Sequence, residues 1–268
     1  MTRELRGFSS DYLSSKELPE NQRPNAMSRT KTKKKPNPVT SRKGVSLNVV
    51  LTAAIAVLAV AVFGGILLSQ RGAENDSSAA LVPAGAHTLS KVDGDKVTLV
   101  EFLDFQCPAC SAHYNGVTKK LEQDYQGRIT IVTRNLPLEM HPLAVPAAQA
   151  AEAAAKQGKY AEMYHALYDN FDRWAVDGQS ISSDRARAVT LFEEFAATAG
   201  LDTAKFRSDM ASADVQAVID RDLADGRKLD VRSTPAFFLN GEKFEPSGQS
   251  FADIDTELRA KIDEALAR

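Results

Sequence analysis

The chain predicts an α/β domain with a helical insertion, preceded by a disordered tail and one transmembrane helix. Three stretches lead there. Val97 to His113 (VTLVEFLDFQCPACSAH) is an apolar, β-branched run that ends in a Cys-Pro-Ala-Cys helix start. Asn240-Gly241 stands between two short apolar runs, the strongest local hairpin signal. Val49 to Leu68 is a run of 20 mostly apolar residues without a charge, the length an α-helix needs to cross the hydrocarbon core.

The boundaries follow from composition. Residues 1–44 are rich in Ser, Asn, Pro, Lys and Arg, lack an apolar period and carry Lys31, Lys33, Lys34 and Lys35 together, so they are expected to be disordered. Residues 45–70 form the anchor. Arg42 and Lys43 precede it, whereas Arg71 is followed by Glu74 and Asp76, which places the N-terminus in the cytoplasm and the rest outside the cell membrane. A cleaved signal peptide is the competing reading, but its apolar region is normally shorter and the long basic tail is atypical. Residues 71–86 are small, polar and contain a proline, the pattern of a flexible spacer. The domain then occupies 87–268, with its helical insertion at about 142–229.

Charge narrows the partners. The formal net charge of −2 conceals 11 Lys+Arg against 4 Asp+Glu up to Asn48, and 21 against 29 from Gly85 onward. An acidic domain argues against nucleic acid, which needs a basic folded face. A domain of this size needs no disulfide staple, so the two cysteines are free for chemistry.

Within the domain, a short strand is expected before the Asp93-Gly94 turn, then a strand through Glu101 and a helix from Cys107 to about Tyr125. Tyr114, Val117, Leu121 and Tyr125 recur at helical spacing and give that helix a buried face. Arg128 to Arg134 alternates as a strand. Strand, helix and strand make a right-handed crossover, with the cysteines at the carboxyl end of the first strand, where open α/β sheets place their sites. An Ala-rich helix stops at Gly158. Further helices are expected at Ser183–Ala199, Asp202–Met210 and Ser212–Asp225, the last stopped by Gly226. The stripe from Tyr160 to Trp174 is most simply core. Pro235 to Leu239 resumes the sheet, the hairpin returns through Lys243 to Glu245, and a helix from Phe251 to Leu266 closes the chain.

Cys107 at a helix start meets backbone N–H groups that have no intrahelical partner, which favours its thiolate. Pro108 suits the first turn, since its missing N–H costs nothing there. Cys110 lies one turn on, on the same face. A structural disulfide would close a ring worth only about 2 kcal/mol of unfolded-state entropy, and a closed zinc site needs four ligands where the chain has only these cysteines and four histidines. The spacing therefore favours a redox dithiol, with a copper- or zinc-binding module as the rival. Glu101 interrupts an apolar strand, where a carboxylate is expensive without a task or a partner. His113 and His141 read as packed or solvated residues rather than bases.

EFLDFQCPACSAH at 101–113, LPLEMHPLA at 136–144, QGKYAEMYHALY at 157–168 and STPAFFLNG at 233–241 together resemble the DsbA-like branch of the thioredoxin-fold superfamily. The resemblance implies a thioredoxin fold with a helical insertion, Cys107 as attacking and Cys110 as resolving cysteine, and a cis Pro235 preceded by Thr234 facing them. It also implies that Glu101 is the buried acid that exchanges protons with the resolving thiol. The implied activity is membrane-anchored, extracytoplasmic thiol-disulfide exchange on protein thiols and disulfides, with no cofactor and a membrane redox partner that recycles the dithiol. Oxidation of substrates is the expected direction. Reduction or isomerisation is the alternative, which Thr234 resembles, and Ala109 offers the thiolate nothing that a histidine there could.

Overall fold

The structure is a computed structural model that describes residues 46–268; the basic tail, residues 1–44, lies outside them. Backbone packing divides the chain between Ala54 and Ile55. Of the first unit the described part is only the start of helix α1 (Leu47–Leu81), and all else belongs to the second.

Leu47–Gly64 has a mean hydropathy of 2.5 and is long enough to cross a membrane. Every large apolar side chain from Leu47 to Phe63 is exposed. The expected spacer at 71–86 requires a correction, because α1 is continuous to Leu81. The first proline after the start of α1 is Pro83, so no proline interrupts the preceding Ala- and Ser-rich turns. Its last turn is buried at Ala80 and Leu81, and the Arg134 guanidinium caps the carbonyls of both residues.

The sheet has the order β1-β3-β2-β6-β7, from β1 (His87–Ser90), β2 (Thr98–Leu103), β3 (Thr130–Asn135), β6 (Ala236–Leu239) and β7 (Glu242–Phe244). β2 runs parallel to β3, with Glu101 opposite Thr133, and antiparallel to β6, with Glu101 opposite Phe237. The hairpin turn at Asn240 (φ 50°) and Gly241 (φ 89°) holds both residues in the left-handed region that a two-residue turn requires.

Strand alternation gives the sheet two apolar faces. Leu99, Ile131, Phe237 and Phe244 pack with Val117, Leu121, Leu258 and Ile262 on one face; Val100, Phe102, Val132 and Phe238 pack with Leu81, Leu136 and Val231 on the other. The largest cluster joins Leu103, Phe105, Cys107, Cys110 and Tyr114 to the helical insertion, which seats the insertion against the cysteines.

The helix expected over 107–125 is present in three pieces: α2 (Pro108–His113), a π-helical stretch (Tyr114–Thr118) and α3 (Lys119–Asp124). The widened turn falls where Asn115 Nδ2 bonds back to the Ser111 carbonyl at 2.9 Å. There too, a Cβ on Gly116 would stand only 3.1 Å from the Phe251 ring.

The insertion comprises α4 (Ala144–Ala155), α5 (Tyr160–Asp169), α6 (Phe171–Trp174), the two-residue strands β4 (Val176–Asp177) and β5 (Ser180–Ile181), α7 (Arg185–Thr198), α8 (Thr203–Met210) and α9 (Ala213–Lys228). Asp184, Asp202 and Ser212 cap α7, α8 and α9 through their side chains. Gly226 does not stop α9, contrary to the sequence expectation. It lies within the helix, where a Cβ would come 2.8 Å from Leu136, so glycine serves close packing here. Helix α10 (Phe251–Leu266) begins with a Ser250–Asp253 capping box.

Candidate active site

Sequence places the dithiol at a strand-to-helix junction, and the geometry follows. Cys107 is the N-cap of α2 (φ −71°, ψ 122°) with Pro108 next. Both cysteines are free; Cys107 retains 6% exposure and Cys110 none. One thiol thus reaches the surface and the other sits behind it.

Their environments pull the two acidities apart. Cys107 is lowered to about 5, first because the Cys110 thiol donates to it, then through the backbone N–H groups of Cys110 and Ala109. Burial and the neighbouring Cys107 push Cys110 well above an ordinary thiol. At neutral pH, Cys107 is a thiolate and Cys110 a thiol.

The Thr234-Pro235 peptide is cis. It brings the Thr234 carbonyl oxygen 3.7 Å from the Cys107 sulfur, and Thr234 is itself buried. The first residue of β6 lies opposite Phe102 of β2, so strand pairing delivers the cis segment to the cysteines.

Glu101 is 1% exposed. Tyr164 of α5 donates to its Oε2 at 3.4 Å, and Oε1 has no partner. Desolvation raises Glu101 to about 8, a rise that the Tyr164 hydrogen bond only moderates. A carboxyl group with that acidity takes up and releases protons at neutral pH.

His113 is packed. It is buried, packs tilted against Phe237 with ring centroids 4.5 Å apart and shares Nδ1 with Thr118 Oγ1 at 3.1 Å. Desolvation lowers it to about 4, so the ring is neutral at pH 7. His141 does more than the sequence reading granted, because its Nδ1 meets Asp104 Oδ2 at 2.6 Å. Asp104 is 1% exposed; the sequence reading does not single it out, although a charged residue in an apolar run is the same signal that marks Glu101. No group of three or more metal-ligating side chains occurs among the described residues.

One family model, described as thioredoxin, matches residues 94–258. Over 174 residues the chain is 34% identical to the Na(+)/H(+) antiporter NhaA 1 of Mycolicibacterium vanbaalenii, an alignment that covers 59% of this chain and 26% of the antiporter. The chain therefore spans about a quarter of that relative's length. It is 25% identical over 228 residues to the probable disulfide bond formation protein D of Bacillus cereus, covering 82% of this chain and 99% of that protein. Among solved structures, a thioredoxin-like oxidoreductase from Silicibacter pomeroyi is similar at a TM-score of 0.53 and 26% identity, covering 71% of this chain and 98% of that one. Wolbachia pipientis alpha-DsbA1, at a TM-score of 0.58 and 19% identity over 72% of this chain and 96% of that one, shares the fold. A thioredoxin fold with a dithiol at the end of its central strand and a cis proline beside it, matched by the family model over more than half the chain, shows that this protein belongs to the thioredoxin family.

Proposed function

We propose that this protein is an extracytoplasmic thiol-disulfide oxidoreductase of the DsbA type, held at the membrane by α1, and that it oxidises substrate cysteines through Cys107 and Cys110. The carrying observation is the asymmetry of the two thiols, one at the mouth of the site at a helix N-terminus and one sealed behind it. The whole-length likeness to a probable disulfide bond formation protein supports the activity.

In the oxidising direction the Cys107–Cys110 disulfide is the starting state. A substrate thiolate attacks the Cys107 sulfur, the Cys107–Cys110 bond breaks, and Cys110 leaves as a thiolate that takes a proton from Glu101. The second substrate thiolate then attacks the substrate sulfur of the mixed disulfide. Cys107 leaves as a thiolate, already stable at neutral pH, and the substrate carries the new disulfide. Two electrons now rest on the dithiol, and a membrane redox partner removes them. The Thr234 carbonyl, beside Cys107, is placed to pair with the substrate backbone flanking its cysteine.

The basic residues before α1 and the acidic ones after its apolar part support an N-terminus in the cytoplasm. Acid trapping and thiol alkylation in cells test the direction. A pair found mostly as disulfide is expected; a mostly dithiol pair would replace oxidation with reduction or isomerisation.

A further inference from the structure

Two buried side chains just before Cys107 have no part in the exchange steps above. Asp104 and Gln106 are 1% and 0% exposed. The Gln106 N–H donates to Asp104 Oδ1 at 2.8 Å, and the Cys107 N–H donates to the Asp104 carbonyl at 3.1 Å. These two bonds close the turn that ends β2. Asp104 Oδ2 then accepts the Leu138 N–H at 2.9 Å and His141 Nδ1 at 2.6 Å. The Gln106 carboxamide faces the other way: its Oε1 accepts the Leu143 N–H at 2.6 Å, and its Nε2 donates to the carbonyls of Ala175 at 3.0 Å and Ser182 at 2.8 Å. The turn is thereby tied to the approach to α4, the end of α6 and the residues before α7.

We propose that Asp104, Gln106 and His141 are positioning residues of the redox centre: they seat the turn that presents Cys107 at the start of α2, and so make the reactivity of Cys107 depend on how the helical insertion is docked. The inference rests on Cys107 being the attacking thiol. Its thiolate is held by the N–H groups of Ala109 and Cys110. Hydrogen bonds weaken steeply as they lose alignment, so a turn free to rotate would aim those donors less well. Ties that used both Gln106 donors and both Asp104 oxygens merely for stability would leave the thiolate indifferent to their loss.

The test uses the full chain in detergent. His141→Ala removes the donor to Asp104. His141→Asn offers an amide N–H in the same place. Gln106→Met keeps length and packing but loses three hydrogen bonds, and it decides the matter alone should His141→Ala fail to fold. The readouts are the ultraviolet absorbance of the thiolate against pH and the thiol-disulfide equilibrium with glutathione. His141→Ala and Gln106→Met are expected to weaken Cys107 ionisation about tenfold, an upward shift of about one pH unit, with a matching shift toward the disulfide form; His141→Asn should recover most of it. Variants that melt earlier yet keep the wild-type midpoint and equilibrium would reduce these residues to structural ties and overturn the proposal. A wild-type protein with no thiolate below pH 7 would instead overturn the assignment of Cys107.

Discussion

The Cys107 sulfur lies 3.7 Å from the carbonyl oxygen of Thr234, 127 residues away in the chain. While protonated, Cys107 donates to that oxygen. Once Cys107 is oxidised or ionised, the carbonyl is free for a substrate N–H, so the state of the thiol and the pairing capacity of the cis segment change together.

Cys110→Ser removes the buried resolver and leaves the acidic thiol in place. It should accumulate mixed disulfides that reductant reverses, seen as adducts on non-reducing gels after acid quenching. Cys107→Ser should trap almost none, since burial holds the remaining thiol protonated. Equal trapping by both variants would reverse the roles.

Glu101 affects stability with a definite sign. Its acidity is raised from 4.5 to about 8 in the folded chain, so the native state binds more protons than the unfolded state between those values. Stability must therefore fall as pH rises from about 4.5 to about 8. Glu101→Gln should flatten that decline, be on the order of 1–3 kcal/mol more stable than the wild type at pH 8, and slow exchange. An unaltered pH profile of exchange in the variant would remove Glu101 from proton transfer.

Cys107 works the other way in the reduced protein. Its acidity is lowered from 9.0 to about 5, so it contributes stability that is fully present above about pH 9 and is lost as pH falls through about 5. The disulfide form lacks this contribution. Calorimetry should find the reduced protein gaining about 1–3 kcal/mol of stability relative to the oxidised one as pH rises from about 5 to 7. An oxidised form more stable at pH 7 would make the pair a poor oxidant.

Topology is checked by protease added to spheroplasts. The domain should be digested and the basic tail spared. A protected domain would place the dithiol in a reducing compartment.

By itself the sequence determined the elements and the dithiol. The uncharged run before Leu68, the Asn-Gly turn, the capping residues at Asp184, Asp202 and Ser212 and the Cys-Pro-Ala-Cys helix start are local signals, because hydropathy, turn conformation and capping act over a few residues. What only the tertiary structure decided lies in contacts between distant segments. Glu101 was legible as a buried acid, but not its partner Tyr164, 63 residues on. Asp104 and His141 meet across 37 residues, and no spacing rule reaches that far. Gly226 looked like a helix stop, since a glycine near a helix end carries the same local signal whether it terminates the helix or admits a neighbour; Leu136 pressing on it settles which. The spacer looked flexible because its composition is small and polar, yet the carbonyls at its helical end are held by Arg134, a buried side chain from the third strand of the sheet. Local sequence sets what each segment can form, and burial among distant partners selects what it does form, because only the packed chain removes those groups from water.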